Sequence, residues 1–172
     1  MTGPVLVYFP HNPWPPRTGA HRRCLQMLDG LVEIGARVHL ASTRQFSDQP
    51  WTEDAIGVLQ ARGLQRVWLH RCFRGQARLE RWEARYRGRE EWHFCSLWLR
   101  RWFGSLVRRL NPASIVIHYA LADRLLDHVR FTGIRRIIEM HDLFSVNNQM
   151  NAGLERRIKQ FVDRSARRPV RY

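Results

Sequence analysis

Three stretches concentrate the side chains able to do chemistry: FPHNPWPPRTGAHRR near the start, IVIHY at Ile115 to Tyr119, and IIEMHD at Ile137 to Asp142. His141 beside Asp142 sets an imidazole, able to hydrogen-bond a ligand, next to a carboxylate at the end of a strand. His118 and Tyr119 add a second polar pair after an apolar run. The first stretch offers His11, Asn12 and the flat face of Trp14, then Arg17, Thr18, Gly19 and His21 where a helix begins. Gly19 lets backbone approach a ligand closely. The helix after it presents unpaired N–H groups and the positive end of its dipole, with Arg17, His21 and Arg22 adding charge, so this loop suits an anion. A structural account of the same residues also stands, in which the prolines stiffen the loop and Gly19 eases the turn.

These residues need elements to bring them together. Val5 to Phe9 is apolar without alternation, as in a strand buried on both faces of a parallel sheet. Ala20 to about Ile34 has helical apolar spacing, with Thr18 as N-cap and Gly35 as stop. Arg37 to Ser42 reads as a second strand, Thr52 to Arg62 as a helix closed by Gly63, and Arg66 to His70 as a third strand. After the Asn111-Pro112 break come a fourth strand, Ser114 to His118, a helix over Leu121 to Phe131 ended by Gly133, and a fifth strand, Arg135 to Met140. Alternating strands and helices predict an α/β, Rossmann-like, doubly wound parallel sheet with helices on both faces. Ligands of such sheets bind beyond the carboxyl ends of the strands, which is where all three stretches fall. His39 and His70 sit inside strands and read as structural.

A helical insertion is expected over about 76–110. In it Trp92, Cys95, Leu99, Trp102, Leu106 and Leu110 recur every three or four residues, while Arg100, Arg101, Arg108 and Arg109 lie largely elsewhere. Two accounts fit. The stripe packs on the sheet and the arginines are solvated, or Trp98, Trp102 and Arg101 contact an anionic membrane or a partner protein.

The chain has 172 residues, enough for one domain with a real core, and a formal charge of +14. That charge is local. Arg66 to Arg109 holds twelve arginines against four acids and Arg156 to Arg171 seven cations against Asp163, leaving the remainder neutral. The split disfavours a nucleic-acid surface, as does the lack of a recognised reading helix or RNA-binding motif. Three cysteines, Cys24, Cys72 and Cys95, form no CxxC pair, which argues against a disulfide framework or structural zinc and for a reducing cytoplasm. No stretch approaches the roughly 20 apolar residues of a membrane span, and no basic segment leads into an apolar signal core. The expectation is a cytoplasmic protein, soluble or peripheral at the inner face of the membrane. Neither GxGxxG nor GxxxxGK[ST] is present, and there is no DxD or metal-spaced His/Asp cluster.

The run VYFPHNPWPPRTGAHRRCLQMLDGLVEIGARVHLAST resembles the opening of nucleotide-sugar-dependent glycosyltransferases of the two-Rossmann, GT-B type, particularly family four. Gly35 and Val38 match the GxxV that leads into their second strand. IIEMHDLF is similar to their strand delivering a His-Asp pair, and Glu155 to Asp163 to a helix with an acidic end. Where the family often has Gly-Gly, this chain has Gly19-Ala20. The resemblance implies an acceptor-side N-terminal domain over residues 1–165, with 166–172 a basic tail or the start of a linker to a donor-binding Rossmann domain, or a separate subunit, not found in these residues. It implies sugar transfer from a nucleotide sugar to a glycan or lipid-linked acceptor, as in bacterial polysaccharide biosynthesis. Configuration would be retained, with no cofactor or metal and the nucleotide sugar as co-substrate. It assigns His141 a hydrogen bond to the transferred sugar and Asp142 the orienting of that loop or the capping of the next segment. Arg17, Thr18, Gly19 and His21 would meet the donor phosphates, and His11, Trp14, His118 and Tyr119 would line the acceptor cleft. The rival class is a basic module, binding nucleic acid or a membrane surface without catalysis.

Overall fold

Val5–Tyr8 forms β1, with every residue buried, as an unalternating apolar run requires. The computed structural model describes residues 3–44, 47–73, 75–76, 78–79, 82, 95–127 and 133–139. His141, Asp142 and the helix expected over 155–163 lie outside the described residues.

After β1 come α1 (Gly19–Glu33), β2 (Val38–Thr43), α2 (Glu53–Ala61), β3 (Arg66–His70), α3 (Leu97–Leu110), β4 (Ser114–His118), a 3-10 helix (Ala120–Leu126) and β5 (Arg135–Glu139). All five strands are parallel in the order β3-β2-β1-β4-β5. β1 takes the centre, with Val5 opposite both Val38 and Ser114. This is the α/β, Rossmann-like sheet expected, with the order reversing between β1 and β4.

Local signals set the helix ends. Thr18 Oγ1 accepts from His21 N at 3.2 Å, and Thr52 Oγ1 accepts from Ala55 N at 3.1 Å. Each thereby satisfies one of the donors a helix start leaves over. Both helices end in paired reverse hydrogen bonds. Gly35 N donates to Val32 O and Ala36 N to Leu31 O after α1, and Gly63 N to Gln60 O and Leu64 N to Leu59 O after α2. These closures need the left-handed backbone that Gly35 and Gly63 adopt, at φ 77° and 99°. Asn111, at φ 43°, ends α3.

Alternation along the strands divides the core in two. Val5, Val7 and Phe9 join Cys24, Leu25 and Leu28 of α1 and Leu59 of α2 on one face. Leu6 and Tyr8 join Leu99, Phe103, Leu106 and Val107 of α3, with Ala122 and Leu125 of the 3-10 helix, on the other. The described part of the expected insertion therefore includes the crossover helix between β3 and β4. Its apolar stripe covers the second face of the sheet, and the Tyr8 and Phe103 rings meet edge to face at 5.7 Å. Burial and packing on this scale contribute about 1.5–3 kcal/mol per large apolar side chain.

The helix expected over Leu121 to Phe131 begins instead as a 3-10 turn, with Ala122 N bonded to Tyr119 O. The short path from β4 must tuck Ala122 and Leu125 under α3, and i to i+3 bonding winds more tightly than an α-helix.

Candidate functional site

Phe9, fully buried just past β1, is the hub of an aromatic cluster at the carboxyl edge of the sheet. Around its ring lie His118 at 5.2 Å, His11 at 5.6 Å, His21 at 5.9 Å and Tyr119 at 6.1 Å between centroids. β1 supplies Phe9 and His11, the start of α1 supplies His21, and the end of β4 supplies His118 and Tyr119. These are the loops flanking the reversal in strand order, where parallel sheets open a crevice.

Two carboxylates close the cluster from opposite sides. Asp48 Oδ2 is 3.1 Å from His21 Nε2, and Asp48 Oδ1 is 3.7 Å from His11 Nδ1. Glu139 Oε2 is 3.2 Å from His118 Nδ1, because β4 and β5 pair these two residues in register. Neither carboxylate figures in the sequence reading, although signals existed. Asp48 lies in the loop after β2, which also opens at the carboxyl edge, and Glu139 is the acid that ends the strand run RRIIE.

The neutral His21 ring is fixed in one tautomer. Arg17 N–H donates to its Nδ1 at 3.3 Å, so in the neutral ring Nε2 carries the proton and donates to Asp48. The side chain is 1% exposed while that of Asp48 is 41% exposed. Burial holds the His21 imidazole below its ordinary value, against the opposing pull of Asp48. His21 thus presents a carboxylate to the crevice and is itself covered.

Tyr119 follows β4 with φ 73° and ψ 125°, a conformation costly for a residue with a side chain and of the kind that concentrates at binding sites. Its N–H is anchored on Glu139 O at 2.9 Å, and its ring stacks on Phe9 at an interplanar angle of 19°.

Arg17, Thr18 and Gly19 stand exposed at the start of α1. A Cβ built on Gly19 would meet nothing within 4 Å, so the space before this helix end is open. No acid occupies the first turn of α1, and the terminus keeps its positive character.

Trp14 lies apart from the imidazole cluster. It lines a cavity of about 230 Å³ with Asn12, Arg17, Gln49, Thr52 and Asp54. Arg62, paired through its fork with Asp29, sits 5.7 Å over its ring. The proline-rich loop is braced here by the loop after β2. Gln49 Nε2 donates to Asn12 O at 2.6 Å and Pro15 O at 3.0 Å, and Asn12 Nδ2 donates to Pro50 O at 2.7 Å. The Trp14-Pro15 bond is cis.

Trp98, Trp102 and Arg101 occupy a third place, the start of α3 beside the end of β3. There the Trp98 ring meets Phe73 at 5.1 Å and Trp102 meets His70 at 5.3 Å. His39 and His70 behave as strand residues: His39 Nδ1 accepts from Trp68 Nε1 at 3.4 Å, and His70 is buried at 6% exposure. Cys24 and Cys95 are buried. Burial pushes the Cys95 thiol up to about 12, which removes it as a nucleophile at neutral pH. Among the described residues no three His, Cys, Asp or Glu side chains are grouped to hold a metal ion.

The fold and its crevice define an α/β protein of the Rossmann-like class, with imidazoles and carboxylates gathered at the switch point. No family model matches the sequence, and no curated protein matches it.

Proposed function

We propose that the chain is the acceptor-side domain of a GT-B type glycosyltransferase, completed by a donor-binding Rossmann domain in the same polypeptide or a partner. The supporting observation is His11, 24% exposed beside the accessible carboxylate of Asp48 at the crevice between β1 and β4, seated on a base of Phe9, Tyr119 and the fully buried His118 with its partner Glu139. Hydroxyl-rich acceptors need closely spaced donors and acceptors on a rigid wall, and the His11 imidazole beside the Asp48 carboxylate provides both. The open start of α1, with Arg17, Thr18 and Gly19, is the matching place for donor phosphates. His21 acts in this reading by holding Asp48. Trp14, set beside its own cavity, would take a more distant part of a glycan or lipid-linked acceptor. His141 and Asp142 keep the roles the resemblance assigns them, toward the transferred sugar.

Half of a two-domain site holds little of the donor. In calorimetry, nucleotide sugars titrated into this chain alone are expected to give at most millimolar binding. Submicromolar binding by the isolated chain would sink the proposal, since the donor pocket would then have to lie within these residues.

A further inference from the structure

The aromatic and arginine-rich surface beside β3 lies outside the crevice and has no part in the proposed reaction. Leu69, His70, Phe73, Trp98, Arg101 and Trp102 are among the residues lining an open cleft of about 510 Å³. Phe73, Leu79 and Trp82, between β3 and α3 in the chain, are 47%, 45% and 63% exposed, three of the six exposed large apolar side chains among the described residues. Such exposure is costly in water unless something covers it.

The charge in this part of the chain is predominantly positive, with twelve arginines against four acids from Arg66 to Arg109. The described residues between 66 and 110 carry seven arginines and no acid. Arg100 is buried against Asp127, and Arg66 and Arg109 lie over the Trp68 ring at 4.3 Å and 5.3 Å. Arg71, Arg78, Arg101 and Arg108 remain exposed on the surface. Arg101 stacks over Trp98 at 5.5 Å, so its stem and the ring together form an amphipathic rim.

We propose that this face docks on an anionic lipid bilayer, with Phe73, Leu79 and Trp82 entering the headgroup boundary and Arg71, Arg78 and Arg101 contacting lipid phosphates. The residue mix selects a bilayer. Tryptophan and phenylalanine favour the interface, and an exposed leucine adds acyl contact. A base-stacking surface would have no use for Leu79. Among the described residues no helix is long and apolar enough to cross a membrane, so the contact lies in the interface plane. The apolar stripe of α3 is spent on the sheet, which moves the contact from that stripe to the residues before the helix.

The test is co-sedimentation of the full chain with vesicles of phosphatidylcholine alone or mixed with phosphatidylglycerol. Wild type is expected to bind the mixed vesicles and not the neutral ones, with tryptophan emission shifting to the blue. Each arginine near an anionic surface accounts for about fivefold in affinity, so joint Arg71→Gln, Arg78→Gln and Arg101→Gln changes should weaken binding by about a hundredfold. A Phe73→Ser, Leu79→Ser, Trp82→Ser variant, substituted only at exposed positions and shown folded by circular dichroism, should lose both binding and the shift. Equal binding to both vesicle types, or binding unchanged in either variant, overturns the proposal. So does displacement from mixed vesicles by a single-stranded oligonucleotide whose binding depends on the same six residues, which would assign the surface to nucleic acid.

Discussion

His21 Nε2 donates to Asp48 Oδ2 across 3.1 Å, while the same ring accepts from Arg17 N–H on its other nitrogen. A buried imidazole thereby joins three loops: the proline-rich segment after β1, the start of α1 and the loop after β2.

That burial predicts a stability change with pH. Because the His21 imidazole is held below its ordinary value of 6.5 in the folded chain, the unfolded chain takes up a proton first as pH falls. The stabilisation is complete above about pH 6.5 and is lost as pH drops through the folded value. His39, lowered by burial beside Arg37 and Arg66, acts in the same direction. Urea midpoints should therefore fall between about pH 7.5 and about pH 5.5, with a shallower fall in His21→Gln. Parallel pH slopes in the two proteins would remove His21 as the cause.

Two helix-closing glycines separate backbone strain from crowding. A Cβ on Gly35, at φ 77°, meets nothing within 4 Å, whereas one on Gly63, at φ 99°, lies 2.5 Å from Val32 Cγ1. Gly35→Ala should cost about 1 kcal/mol, the conformational term alone. Gly63→Ala should cost about 3 kcal/mol, because overpacking adds to it. Equal losses in urea unfolding would contradict the crowding.

Phe103 tests whether α3 is structural. It is fully buried between Tyr8 and the second core, so Phe103→Ala should cost about 3–5 kcal/mol. A loss below about 1 kcal/mol would mean that α3 is not seated on the sheet.

The cap of α1 rests on a single hydroxyl. Thr18→Ala should cost about 1 kcal/mol. Thr18→Asp should retain stability, since its carboxylate can accept the same bond and favours the helix start. Indistinguishable melting temperatures for wild type and Thr18→Ala would show that the cap contributes nothing.

Much of the fold is legible in the chain because its signals are local. Thr18, Thr52, Gly35, Gly63 and Asn111 mark helix ends through bonds to residues within one turn. The runs VLVY and SIVIH declare buried strands because both faces of a parallel sheet are covered. The 3-10 form of Ala120–Leu126 was not legible, because packing under α3 imposes it.

The sequence by itself determined that His11, Thr18, His118 and their neighbours would stand at one edge, since strand ends are fixed by local hydrophobic runs. The tertiary structure alone decided which groups meet there. Strand order set β2 beside β1 and β5 beside β4, giving His21 and His11 the carboxylate of Asp48, and His118 that of Glu139. It also sent Phe103 to the core and left Phe73 and Trp82 at the surface, a division that helical periodicity cannot make for rings of similar hydrophobicity. Pairing partners and burial depend on contacts distant in sequence, whose energies appear only once the sheet has closed around Phe9.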